Sequence, residues 1–145
     1  MNTNIITKAI VTLLTIYYVY VPASADIGHS HLLNPAWAPH SRVHLVWFLV
    51  FTATTGIIAL YLLWFKNETT IAALIGLGFN TGFLVAYLTA SSYGGSLSDS
   101  VGEASSGIPI NLLENGVMWL IFLAIIGYQV MIGSKRAMKP HPSAI

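Results

Sequence analysis

The stretch Val43 to Phe65, VHLVWFLVFTATTGIIALYLLWF, contains no Asp, Glu, Lys or Arg. It is long enough to cross the roughly 30 Å hydrocarbon layer of a bilayer as an α-helix. Three more apolar stretches accompany it, at about Asn4 to Val21, Thr70 to Ala90 and Asn111 to Ile132. Lys66-Asn67-Glu68 closes the second stretch and Lys135-Arg136 closes the fourth. Backbone polar groups in lipid must find partners within their own segment, so all four stretches are expected to be helices. The expected fold is an all-α integral membrane protein: one membrane domain over residues 1–145, built as a four-transmembrane-helix bundle.

Composition agrees. Of 145 residues, 55% are hydrophobic and 8% charged, against roughly 25% charged in soluble domains. With so few charges, lipid is the solvent this surface suits, and the bilayer is the first expected partner. The absence of cysteine removes disulfides, thiolate metal ligands and a cysteine nucleophile together. Net charge is +1 with no long basic run, so nucleic acid is not an expected partner. No internal repeat is visible.

The first stretch admits two readings. Lys8, the apolar run and Ala23-Ser24-Ala25 before Asp26 describe a cleavable signal peptide over residues 1–25. Its length and its tyrosines at 17, 18 and 20, which suit the membrane interface, favour a retained helix. Orientation is the same under both. An N-in, C-in arrangement places Lys8, Lys66, Lys135, Arg136 and Lys139 in the cytoplasm and only Arg42 outside, as the positive-inside rule prefers. The loop after the first helix and the Gly/Ser-rich loop Tyr93 to Ile110 then share the non-cytoplasmic face. That second loop is longer than most connections and is expected to fold over the first as part of a polar cap.

The first loop carries the densest chemistry in the chain: Asp26-Ile-Gly-His29-Ser-His31-Leu-Leu-Asn34-Pro35-Ala-Trp37-Ala-Pro39-His40-Ser-Arg42-Val-His44. His40 and His44 are four apart behind Pro39, which suits a first helical turn. That spacing places both imidazoles on one helix face. With His31 and Asp26 folded back, they make a candidate set for a divalent metal, zinc, copper or iron. No glutamate base lies between the two histidines, so the pattern is weaker than a metalloprotease helix. Five histidines are also fewer than membrane di-iron oxygenases use. The plainer account is that interfacial histidines bond to headgroups and water, with Trp37, Trp47 and Arg42 as anchors.

Glu114 sits near the start of the fourth helix on the same face. As a helix-start residue it completes a capping box with Asn111 as N-cap. As a carboxylate at the membrane boundary it joins His40, His44 and Asp26 as a candidate catalytic group, with Arg42 or an imidazole as its expected contact. Asn34, Trp37, Arg42 and Asn115 are candidate substrate contacts around that cap. Asn80 lies mid-membrane inside Gly78-Phe-Asn-Thr-Gly82, where small residues four apart suit close helix packing or an oligomer contact. A substrate contact is the alternative role for Asn80.

The run from His31 to His44, with Asp26 upstream, resembles a family of small four-helix membrane proteins of unknown function. Its members carry a similar H-x-x-N-P-x-W-x-P-H-x-[RK]-x-H pattern after a first hydrophobic segment ending in Ala-Asp. The resemblance covers about twenty residues and implies the four-helix fold and a single functional unit in the run; His29 falls outside the pattern. A looser likeness, in architecture alone, links the chain to the sterol-isomerase and sigma-2-receptor-like membrane proteins. Two function classes follow: a membrane enzyme or metal-binding protein acting on a lipid-soluble small molecule, or a non-catalytic accessory subunit or assembly factor of a larger membrane complex.

Overall fold

The computed structural model describes residues 5–97 and 109–137, with side chains through residue 135. Four helices dominate: α1 (Ile5–Asp26), α2 (Pro39–Phe65), α3 (Thr69–Thr89), prolonged by a 3-10 turn at Ala90–Tyr93, and α4 (Ile110–Ala137). All four are long and apolar enough to cross a membrane, the architecture of a multi-pass membrane protein. Trp47, Phe65 and Leu88 are 66%, 75% and 77% exposed. Side chains of this size in contact with solvent throughout a bundle call for a hydrocarbon solvent.

Three helices run past their expected ends, among them α4, which continues beyond Ile132 to Ala137. α1 continues through Pro22 to Asp26, because a proline one turn from a helix end removes only one hydrogen bond. α2 begins at Pro39, so His40, Ser41 and Arg42 belong to the helix and not to the loop. Between α2 and α3 the chain turns in three residues. Asn67 takes the left-handed conformation (φ 56), which asparagine tolerates better than most residues. The Glu68 amide then donates back to the Leu62 carbonyl at 2.9 Å.

Side-chain bonds fix the helix directions. Lys8 Nζ donates to Asn67 Oδ1 (2.6 Å) and lies 5.2 Å from the Trp64 ring. Trp64 Nε1 donates to Thr12 Oγ1 (3.0 Å), and Trp119 Nε1 donates to Thr81 Oγ1 (2.9 Å). Successive helices therefore alternate in direction. Asp26, Pro39, Tyr93 and Ile110 gather at one end, called here the histidine end, and Lys8, Lys66 and Lys135 lie toward the other.

α3 packs against all three other helices, whereas α2 and α4 make no close approach. Lipid tails are as apolar as leucine, so small residues and close packing must hold helices together. Two glycines supply that closeness. A Cβ at Gly56 would lie 2.6 Å from Val19 Cγ2, and one at Gly76 would overlap the Phe122 ring. Gly78 and Gly82, in contrast, have nothing within 4 Å of a Cβ built there. They form no seam inside this chain, because Gly76 faces α4 and they do not. At the centre, Tyr18 stacks on Phe79 with centroids 4.8 Å apart and meets Phe122 edge-on at 6.5 Å.

Candidate functional site

Local hydrogen bonds fold the run between α1 and α2 into one unit. Asn34 Oδ1 accepts from the Ala36 amide (2.9 Å), the turn chemistry expected of an asparagine before proline. The Asn34 carbonyl accepts from the Trp37 amide (3.2 Å), and Asn34 Nδ2 donates to the Ser30 carbonyl (3.3 Å). Arg42 then reaches back from the first turn of α2, its Nη2 donating to the Asn34 carbonyl at 2.6 Å. Its Nε is buried without a partner. Asn34 and Arg42, expected as substrate contacts, thus join the turn to the helix. Trp37 is turned edge-on to His31, with centroids 5.3 Å apart.

The four proposed metal ligands separate into two pairs. On α2, His40 Nε2 and His44 Nε2 lie 2.9 Å apart, their rings crossed at 87°, and Trp47 stacks beyond His44 at 6.0 Å. Both histidines are exposed. The expectation that they point the same way is met, since their ring nitrogens meet in one hydrogen bond. In that bond one imidazole donates Nε2–H and the other accepts with its lone pair. The second pair belongs to the turn: His31 Nδ1 lies 3.9 Å from Asp26 Oδ1 and 2.9 Å from Ser30 Oγ. Among the described residues no three His, Cys, Asp or Glu side chains come together as a metal cluster. The expected joint set of His31, His40, His44 and Asp26 is therefore not assembled. The helix face shared by His40 and His44 is as expected; the set divides because Ser30, Trp37 and Asp26 hold His31 in the turn.

Glu114 also sits apart from the histidines. The Tyr17 hydroxyl of α1 lies near its carboxylate, and α4 does not approach α2. The expected contact with Arg42, His40 or His44 is replaced by this α1–α4 approach. The capping box is replaced too. α4 starts one residue before Asn111, and the Pro109 carbonyl takes the Leu112 and Leu113 amides. Asn111 Oδ1 accepts from the Leu112 amide at 3.1 Å. Asn115 Nδ2 donates to the Asn111 carbonyl (2.8 Å), within its own helix.

Asn80 is fully buried. Its Nδ2 donates to the Gly76 carbonyl (2.8 Å) within its own helix, and its Oδ1 has no partner. The Gly/Ser-rich loop expected to close over the cap falls mostly at residues 98–108, outside the described residues. Beside the histidine pair, a shallow open groove is lined by His44, Trp47, Phe48 and Phe51.

Sequence reasoning did not single out Thr15 and Thr52, and it read Tyr18 as an interfacial tyrosine; all three are buried, Tyr18 at the centre of the bundle. Their signal was present as polar side chains at helical spacing within apolar stretches, Thr15 with Val11 and Tyr18, and Thr52 with Gly56 and Ala59. Compared with models of known protein families, with curated proteins and with solved structures, the chain matches none.

Proposed function

We propose that this is a metal-binding membrane protein whose His40–His44 pair takes a divalent first-row ion at the bilayer surface, beside the apolar groove, to act on a lipid-soluble small molecule. One observation carries this reading: two imidazole Nε2 atoms 2.9 Å apart on consecutive turns of a helix. With metal–nitrogen bonds of about 2.0–2.1 Å, that separation subtends roughly 90° at a shared ion. Such an angle suits adjacent positions of a tetragonal site, the preference of Cu(II), better than the tetrahedron of zinc. The other positions would be left for water, a substrate oxygen or a carboxylate, and the groove of His44, Trp47, Phe48 and Phe51 offers an apolar molecule a place beside them. Binding through both Nε2 atoms would require the donating imidazole to carry its proton on Nδ1 instead, so that each ring offers the ion an Nε2 lone pair and the hydrogen bond between the rings is given up.

A second reading, an accessory subunit that passes metal to a larger complex, draws on Gly78 and Gly82. Both are exposed on α3 with no neighbour of their own, and a two-ligand site is one that a partner can complete.

Cu(II) titration of the detergent-purified chain, followed by electron paramagnetic resonance, tests the metal reading. Coupling to two imidazole nitrogens is expected, with loss of that signal in both His40→Ala and His44→Ala. Copper that stays bound in both variants would sink it. The charge bias adds a sidedness expectation: a cysteine at Ser30 should label from outside the cell and one at Asn67 from inside. The reverse pattern would put the histidine pair in the cytoplasm.

A further inference from the structure

Four polar side chains in the middle of this bundle are almost wholly removed from its surroundings. Thr15 is 1% exposed, Tyr18 1%, Thr52 2% and Asn80 0%. Thr52 Oγ1 and Asn80 Oδ1 have no partner, and the Tyr18 and Thr15 hydroxyls, one turn apart on α1, have at most each other. Water is absent from a bilayer core, so an unpaired group there has no alternative partner in the solvent. Buried polar atoms are nearly always satisfied, and a group that is not calls for a specific explanation.

The four lie midway along α1, α2 and α3, which all pack on one another. Thr52 sits on the α2 face between Phe48 and Gly56, one turn from each. On one side, Phe48 stacks toward Phe79 at 6.1 Å, and Phe79 in turn stacks on Tyr18. On the other, a Cβ at Gly56 would come within 3.6 Å of Thr15 Cγ2, and Thr15 is one turn from Tyr18 on α1. Asn80 follows Phe79 directly on α3. Three helices thus bring their lone polar groups to one level of the membrane, behind walls of aromatic rings.

We propose that Thr15, Tyr18, Thr52 and Asn80 line an internal hydration site in which ordered water bridges α1, α2 and α3. The chemistry selects water. Asn80 Oδ1 only accepts, while the three hydroxyls both donate and accept, so a molecule that can do both satisfies all four. A buried water commonly makes about three such bonds. A cation is a poor occupant, because the four groups are neutral and a charge in this medium needs a counter-charge to offset its desolvation. The site is independent of the histidine pair, which lies at the end of the bundle.

Water-to-protein magnetisation transfer in the full-length chain in lipid bilayers tests this. A cross-peak from long-lived water to the Asn80 side-chain amide protons is expected, although Asn80 lies deep in the hydrocarbon layer. The near-isosteric variants Thr52→Val and Tyr18→Phe each remove one hydroxyl with little change of shape, and each should weaken that cross-peak while the Asn80 backbone signal persists. Should one of these variants fail to fold, the other still decides the matter. No water cross-peak at Asn80 in the wild-type chain would overturn the proposal. So would a cross-peak unchanged in both variants. A shift of the Asn80 amide in Tyr18→Phe without any water transfer would mean that Tyr18 bonds to Asn80 directly, and would overturn it as well.

Discussion

The histidine end and the bundle interior hold their polar groups in opposite states. At the end, histidines, an asparagine and an arginine crowd into a short run, largely exposed, and most of them find partners within a few residues. In the interior, four polar side chains spread over three helices are fully buried, and two of them, Thr52 and Asn80, have an oxygen that no neighbour satisfies. The difference teaches that density of chemistry along a chain and strength of interaction in the fold are separate properties. An electrostatic contact in water is worth little and the same contact away from water is worth much. Changes at the histidine end should therefore move ligand binding with little effect on stability, and changes in the interior should do the reverse.

The largest expected effect comes from removing α1. Val11, Thr15 and Tyr18 are all buried against the other helices, so a chain beginning at Asp26 would uncover the centre of the bundle. Protein extracted from membranes is expected to retain residues 1–25, and a form truncated there to aggregate or to lose cooperative unfolding. A mature N-terminus at Asp26 on a well-folded protein would break the interior half of the comparison.

Next come the α3–α4 contacts. Phe122→Ala should destabilise by about 3–5 kcal/mol, the usual range for emptying a buried aromatic site. Gly76→Ala should cost about 1–3 kcal/mol by forcing the Phe122 ring away. Gly78→Ala, with open space around it, should stay within about 0.5 kcal/mol. Reversible unfolding in mixed micelles measures all three. Equal damage at Gly76 and Gly78 would show that α3 presents a different face to α4.

Much of this fold was legible in the sequence. Bilayer thickness sets the length of an apolar stretch and lipid forces a helix on it, so Val43 to Phe65 leaves few alternatives. Helix ends were less legible. Pro39 fits either the last loop residue or the first helical one, and tertiary context decided for the helix, carrying His40 and Arg42 with it. Spacing also gave the facing of His40 toward His44, because that contact is local. It could not give the partner of Glu114, because which helices adjoin in a bundle depends on packing between distant segments. Tyr17 was the answer, and nothing near Glu114 in the chain points to it. The burial of Thr15, Tyr18 and Thr52 was hidden for a related reason: a threonine in an apolar helix reads as neutral, and Tyr18 reads as interfacial beside Tyr17 and Tyr20, until the face each occupies is known.

The Tyr17–Glu114 contact lies between the two regimes, since both side chains are half-buried near the histidine end. Tyr17→Phe is expected to destabilise by about 1 kcal/mol, in the range of a single hydrogen bond, and Glu114→Gln, which keeps a neutral acceptor, by less than that. The double variant should lose less than the sum of the two, because the first change removes and the second weakens the same contact. Strict additivity would separate the two residues and return Glu114 to the role of a lone carboxylate at the helix start.

The smallest stability effect belongs to the pair with the most conspicuous sequence. His40 and His44 are exposed, so their mutual hydrogen bond competes with bonds to water, and helix pairs at this spacing contribute only a few tenths of a kcal/mol. His40→Ala and His44→Ala should each leave unfolding within about 0.5 kcal/mol of the parent chain. The same substitutions should abolish two-nitrogen copper binding, and in the parent chain that binding should weaken as pH falls, because protons compete with the metal for the imidazole lone pairs. Saturating copper should raise the apparent stability of the parent chain and of neither variant, since a ligand that binds only the folded state stabilises it in proportion to its affinity. If the alanine variants instead unfold several kcal/mol more easily without metal, the pair is part of the packed structure. The contrast between a binding end and a load-carrying interior would then have to be drawn elsewhere in the molecule.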